Sequence, residues 1–208
     1  MPVVALSSCA MAEPVGPAMQ RWQLTTLSGC RLAIGRYPRF AYDATGGGGL
    51  SQPLISKGFP GCSTAISLKF SAEQLTIPPL NWRTTRFLGL PLPPGLSITI
   101  APELLSGDLD SSSGEVRLLF RARFRFRVAL AGSCRYAAPD LLVETVLQSG
   151  PCQAERHRAC GRPRDAGGDM LLVGIARVEP TGDPWLDRCL GLPDEALAEL
   201  HCRLTPQR

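Results

Sequence analysis

The sequence predicts a mainly β fold: a single-domain antiparallel β-barrel or strongly curved β-sandwich, with one or two short helices near the carboxyl end. Three observations support this prediction. The 208 residues include 21 glycines and 19 prolines, which favours many turns over a helical bundle. Several segments alternate apolar and polar residues with period two, and one of them continues for fifteen residues. All-β chains of this length often fold as one unit, so we expect a single β-rich domain over residues 20–208.

Residues 1–19 are predicted to be a disordered tail. They contain no Lys or Arg, and the apolar stretch Val3–Leu6 is shorter than an export signal needs, which favours a cytoplasmic location. The longest apolar run elsewhere, Met170–Ala176, reaches about a third of the ~20 residues of a membrane helix. We therefore expect a soluble chain with no transmembrane segment.

The first strands are expected at Arg21–Thr26, Cys30–Ile34 and Arg39–Ala44. Gly46–Gly49 interrupts this pattern and is predicted to be a flexible turn, because four consecutive glycines lose much backbone entropy in a strand. Thr64–Ser71 returns to period two and predicts a half-buried strand.

The proline-rich segment from Ile77 to Gly95 is predicted to be a cover over the domain. Its five prolines favour extended backbone at edges and loops. Because it also contains Trp82, Phe87, Leu88 and Leu90, we expect it to pack on the domain and not to link two domains.

The clearest segment is Val116–Leu130, which has apolar residues at its even positions and arginines at most odd ones. Two short runs, Leu96–Ala101 and Leu104–Leu109, precede it, and Asp110–Gly114 has the composition of a hairpin turn. Fifteen strand residues would span about 50 Å, roughly three times an ordinary strand, so this ribbon must coil, bulge or wrap.

Two further strands are expected at Leu141–Gln148 and Met170–Val178, and an exposed loop is expected between them at 150–169. Asp183 before Pro184, with Gly191 after the apolar residues, predicts a two-turn helix. The alternation from Ala198 onwards predicts a last strand.

The sequence carries little that points to catalysis. His157 and His201 lie in no nucleophile motif, and no phosphate-binding glycine loop is present. Cys152, His157 and Cys160 are soft ligands close in sequence, but their spacing matches no common zinc module and arginines interleave them. We expect no cofactor and no metal, and an enzyme is the less favoured class.

The arginine face of Val116–Leu130 is the first candidate binding feature. This face consists of Arg121, Arg123, Arg125 and Arg127. Arginines ~7 Å apart on one side of a strand repel unless anions, carboxylates or water screen them. One interpretation is a solvated outer face paired with Asp108, Asp110 or Glu144. The other is recognition of an anionic partner, such as a lipid head group, a carboxylated ligand or an acidic protein surface.

The opposite face carries Phe120, Phe124 and Phe126, which are predicted to point inward. Aromatics on that side cannot stack on bases beside the arginines, so no nucleic acid is expected. A curved apolar ribbon can enclose a ligand or only its own side chains. The leading hypothesis is a non-enzymatic protein that binds an apolar or amphipathic small molecule, such as a lipid, through these phenylalanines and the arginine face. The alternative is an interaction or assembly module that docks the arginine face on an acidic protein.

Overall fold

The computed structural model of the chain describes residues 20–53, 65–130 and 133–207. The described strands are, in chain order, β1 (Arg21–Thr26), β2 (Cys30–Ile34), β3 (Phe40–Tyr42), β4 (Gly48–Leu50), β5 (Ala65–Phe70), β6 (Thr85–Phe87), β7 (Leu90–Pro91), β8 (Leu96–Asp110), β9 (Val116–Leu130), β10 (Ser133–Ala137), β11 (Leu141–Gln148), β12 (Pro151–Gln153), β13 (Arg158–Cys160), β14 (Asp169–Val178) and β15 (Asp194–Gln207). The helix α1 (Pro184–Leu190) and a 3-10 turn at Ala72–Gln74 accompany them. The predicted tail at residues 1–19 lies outside the described residues.

Thirteen strands form one antiparallel sheet in the order β5-β8-β9-β11-β14-β15-β2-β3-β6-β7, with β1 and β4 continuing from β15 and β10 beside β9. Single backbone bridges, Ser51 to Phe70 and Leu80 to Ile98, bring distant parts of the sheet together. Over the described residues the sheet therefore curves until distant strands meet. They are joined there by isolated bridges and not by a continuous ladder of hydrogen bonds. The prediction of a mainly β fold is confirmed. Of the two predicted forms, the structure has the strongly curved sheet and not the closed barrel.

The hairpin β8–β9 is the longest pair and supplies much of the curvature. The two predicted runs before the turn form one strand of 15 residues, with a change of register between Pro102 and Leu104. Pro102 has no N–H to donate, so a bulge at this point disturbs the ladder least and bends the strand. The predicted turn is confirmed: the Ser112 N–H donates to the Asp110 carboxylate at 2.8 Å.

The prediction that Gly46–Gly49 is a flexible turn is wrong for its last two residues. Gly48 and Gly49 belong to β4, which pairs with β1. A Cβ at Gly48 would overlap the backbone carbonyl of Leu24, and one at Gly49 would lie 2.7 Å from the carbonyl oxygen of Gln74. These glycines are needed because two backbones approach closely on either side of the strand.

The prediction that the proline-rich segment from Ile77 to Gly95 packs over the domain is correct only in part. Leu80 is buried at 3% exposure and bridges to β8, as a packed cover requires. However, Trp82, Leu88 and Leu90 are exposed at 49%, 71% and 70%. The reason is that β6 and β7 form one edge of the sheet, so their hairpin projects beyond the core.

Residues 150–169 are largely exposed, as predicted, but contain a hairpin that the sequence pattern did not predict. Strands β12 and β13 pair as a separate two-stranded sheet. The Glu195 carboxylate of β15 attaches its tip by accepting, at 3.0–3.2 Å, the backbone N–H groups of Glu155, Arg156 and His157.

The carboxyl end follows its prediction. The Asp183 carboxylate accepts the N–H groups of Trp185 and Leu186 at 2.9 and 2.8 Å, and Gly191 ends α1 in the left-handed conformation. The apolar strand β14 and the final strand β15 pair over ten residues in the middle of the sheet. Among the described residues, no helix has the length and hydropathy needed to span a bilayer.

Candidate functional site

The concave side of the sheet encloses a cavity of about 190 Å³. Its lining comes from strands that are far apart in the chain, from β1 to β15. Members of all three apolar core clusters border it, for example Leu118 of the first cluster, Ile100 of the second and Val178 of the third. The cavity therefore lies where the three clusters meet.

The inner face of β9 supplies the aromatic part of the lining. Phe120, Phe124 and Phe126 all border the cavity. Phe120 packs against the first and second core clusters, and Phe124 against the second and third. The three rings are half-buried and not fully buried, because the cavity leaves part of each ring without a packing partner. The structure thus brings together the three phenylalanines that the sequence singled out.

The cavity exists because β14 and β15 present small residues to it. Gly174 lies opposite Ala198, and Ala176 lies opposite Ala196, so two neighbouring cross-strand pairs carry almost no side chain. A leucine or valine in place of Ala198 would project into the space. Sequence reasoning missed these four residues, although the signal was small residues at alternate positions of two predicted strands.

Three hydroxyl groups in the lining form hydrogen bonds within the protein. The Thr26 hydroxyl donates to the Ala44 carbonyl at 2.5 Å, and the Thr145 hydroxyl donates to the Ile175 carbonyl at 2.8 Å. The Tyr42 hydroxyl donates to the carbonyl of Pro78, and burial raises its pKa, so it remains protonated. No charged side chain is present in the described lining, so the cavity has no group for an ionic ligand.

The arginine face lies on the opposite side of β9 from the cavity. Glu103, at the β8 bulge, is shared by two of its members: Arg123 Nε lies 2.5 Å from Glu103 Oε1, and Arg121 Nε lies 3.2 Å from Oε2. Sequence reasoning missed this carboxylate because its position depends on the bulge. A bulge places two residues opposite one on the partner strand, so Glu103 reaches both arginines.

Two more carboxylates lie next to the arginine face. Glu144 of β11 lies 3.5 Å from Arg121, as one interpretation of the sequence expected, and Asp140 lies 3.2 Å from Arg125. Arg127 has no ion-pair partner among the described residues. Asp108 and Asp110, the other expected partners, are used elsewhere, since Asp108 lies opposite Arg117 and Asp110 holds the turn. Acidic neighbours thus screen three of the four arginines.

The residues considered for metal binding or catalysis are not assembled into a site. Cys152 pairs with Ala159 and Cys160 with Pro151, so the two thiols lie on opposite faces of the β12–β13 hairpin. Within the described part of the chain, no group of three His, Cys, Asp or Glu side chains is arranged to hold a metal ion.

Comparison with known proteins adds no relative: no family model, no curated protein and no solved structure matches the chain. The functional argument therefore depends on the geometry of the cavity and of the surface.

Proposed function

We propose that this chain binds a small apolar molecule in the cavity between β9 and the β14–β15 pair. The observation that carries this proposal is a space of about 190 Å³ bordered by phenylalanines and by paired small residues. For scale, an engineered cavity of about 150 Å³ with a similar lining stays dry and takes up benzene. The space here is large enough for a ring or a short hydrocarbon segment.

The lining favours an apolar ligand over an amphipathic one. The hydroxyls of Thr26, Tyr42 and Thr145 already donate to backbone carbonyls, and no charge lies in the described lining. Burying an unpaired polar or charged ligand group there would cost more free energy than burying a hydrocarbon of the same size. The arginine face, which faces away from the cavity, is not included in the proposed site.

The ion pairs also bear on the alternative hypothesis of docking through the arginine face. An acidic partner would have to compete with Glu103, Glu144 and Asp140 for guanidinium groups that are already paired. Docking through this face stays a prediction, and the contacts described here favour the cavity.

Benzene is a suitable probe because its size and lack of hydrogen-bonding groups match the cavity. We expect benzene to stabilise the folded chain by about 1.4 kcal/mol at ten times its Kd, and calorimetry with and without benzene will measure this. For a domain of this size the corresponding rise in Tm is about 2–4 °C per kcal/mol. Organic extracts of natively purified protein, examined by mass spectrometry, will test for a resident apolar molecule.

The matched control is Ala198→Leu, which places a larger side chain in the cavity without adding a polar group. We expect this variant to fold and to show no stabilisation by benzene. An equal response of the wild type and Ala198→Leu would show that benzene acts elsewhere. No response in the wild type, together with empty extracts, would refute the proposal.

A further inference from the structure

The β6–β7 edge exposes apolar side chains that the fold does not use. Leu88 and Leu90 are 71% and 70% exposed, and Trp82, just before β6, is 49% exposed. All three lie within nine residues of the chain at the end of the sheet order. Single exposed apolar residues are common on proteins, but three within nine residues at one edge of the sheet indicate a contact surface, although Arg83 packs over the ring of Trp82.

The backbone at the tip of this hairpin reinforces the point. Leu88 has φ of 50° and Gly89 has φ of 82°, so both residues of the turn are left-handed. Tight hairpin turns of this kind favour Asn-Gly, because asparagine and glycine tolerate positive φ better than leucine does. Among the residues that the structure describes, Leu88 is the only one other than glycine that has a positive φ. A leucine here strains the turn and exposes apolar surface, and neither effect helps the chain to fold.

A basic groove lies beside this tip. Cross-strand pairing puts Arg31, Ala41, Arg86 and Pro91 in one row over β2, β3, β6 and β7, so their side chains share the outer face. The groove has a volume of about 350 Å³, and its lining includes Arg31, Arg86 and Leu88. Leu88 therefore borders the same groove as the two guanidinium groups, whereas Leu90, which pairs with Phe87, lies on the other face of the hairpin.

One carboxylate lies in this surface: Glu199 of β15 lies directly opposite Arg31 in the β15–β2 pairing. Arg39 also lines the groove and is paired with Glu199 at 2.6 Å. Arg31 and Arg86 are exposed and have no ion-pair partner among the described residues. The sequence from 75 to 102 contains no Asp or Glu at all, although it contains two arginines. This differs from the arginine face, where three of four members form an ion pair with a carboxylate.

The shape of this edge disfavours a protein strand or a second copy of the chain as its partner. Strand β7 has two residues, and Pro91, Pro93 and Pro94 lack the N–H groups that an added strand would need. In a symmetric pair both copies would use this same patch, so two surfaces that carry guanidinium groups would be brought together. Exposed leucines and a tryptophan beside unpaired arginines instead match a lipid surface with acyl chains below and anionic head groups above.

We propose that the β6–β7 edge docks the protein on the surface of an anionic lipid bilayer. Leu88, Leu90 and Trp82 would enter the boundary between head groups and acyl chains, while Arg31 and Arg86 bind lipid phosphates. This inference is independent of the cavity, since it concerns a different face of the molecule.

The first test is sedimentation of the full chain with vesicles of phosphatidylcholine alone and of phosphatidylcholine with about one-third phosphatidylglycerol. We expect clear binding to the anionic vesicles, weak binding to the neutral ones, and a decrease with added salt. Arg31→Gln and Arg86→Gln should each lower the affinity about fivefold. The matched control, Arg117→Gln on the exposed face of β9, should leave it unchanged.

A second variant separates docking from folding. Leu88→Asn removes the exposed apolar side chain but suits the left-handed backbone, so its thermal stability should equal or exceed that of the wild type. We expect its affinity for anionic vesicles to fall about tenfold, whereas Leu142→Asn, at an exposed leucine of β11, should bind as the wild type does. The response to benzene should be unchanged in Leu88→Asn.

Three results would overturn the docking proposal. They are equal binding to neutral and anionic vesicles, full vesicle affinity in Leu88→Asn, and a dimer in light scattering that Leu88→Asn disperses while no vesicle binding is seen. The last result would assign the surface to a second copy of the chain.

Discussion

Gly174 of β14 lies directly opposite Ala198 of β15, and this pair of small residues leaves the space that the phenylalanines of β9 face. The two positions differ in what surrounds them. A Cβ at Gly174 would lie 2.9 Å from the Val146 carbonyl oxygen, so glycine is required there by the close approach of β11. At Ala198 the side chain borders the cavity, and a larger residue has room.

This difference predicts opposite effects on stability for two enlargements. Ala198→Leu should raise the free energy of unfolding by about 1–2 kcal/mol, because the added methyl and methylene groups become buried in existing space. Gly174→Ala should lower it by about 1–3 kcal/mol, because the new methyl group meets backbone. Urea unfolding of both variants will measure these changes. Destabilisation by Ala198→Leu would mean that the space cannot accept a side chain.

The two faces of β9 predict unequal costs for neighbouring truncations. Phe124→Ala should lower the free energy of unfolding by about 3 kcal/mol, since it removes a ring that joins two core clusters. Arg125→Ala should cost less than about 1 kcal/mol, because its pair with Asp140 is solvent-exposed. Calorimetry of the two variants at the same pH and salt concentration tests this order. Similar losses for both would contradict the assignment of an inner and an outer face.

The glycine run predicts that two positive-φ glycines, Gly46 and Gly48, respond differently to alanine. Gly46 has φ of 89° with no atom near the place of a Cβ, so Gly46→Ala should cost about 1 kcal/mol of unfolding free energy through backbone strain alone. Gly48→Ala should cost about 1–3 kcal/mol more, because its methyl group would overlap the Leu24 carbonyl. Thermal unfolding distinguishes the two. Equal costs would show that β4 can move away from β1 freely.

The attachment of the β12–β13 hairpin to Glu195 predicts a dependence on pH. Burial opposes ionisation of Glu195, but the backbone N–H groups of residues 155–157 outweigh it and hold its pKa below the usual value of about 4.5. Because the folded-state pKa is lowered, the stabilisation is complete above about pH 4.5 and is lost as the pH falls through the folded-state value. Amide protection factors of residues 155–157 should decrease in that range.

Glu195→Gln provides the control for this prediction. The amide cannot carry the negative charge that attracts the three N–H groups, so their protection should be low at neutral pH already and change little on acidification. Equal protection of these three amides in the wild type and in Glu195→Gln at neutral pH would contradict the assigned role.

Period-two alternation predicted β5, β9 and β11 correctly, because the side to which a strand residue points depends on its own position in the chain. The largely apolar run Met170–Val178 predicted β14. The short helix was predicted for a similar reason, since the cap at Asp183 and the end at Gly191 are local interactions. The glycine run was interpreted wrongly because the close neighbours of Gly48 come from other strands.

The sequence by itself determined that Val116–Leu130 is a two-faced ribbon, with phenylalanines on one side and arginines on the other. The tertiary structure decided what each side meets. Register placed Gly174 beside Ala198 and left a cavity before the phenylalanines, and the β8 bulge brought Glu103 to two arginines. Sheet order placed Arg31 and Arg86 beside Leu88. The physical reason is that strand periodicity is local, whereas cavities and charge balance depend on side chains that meet only after distant strands have paired.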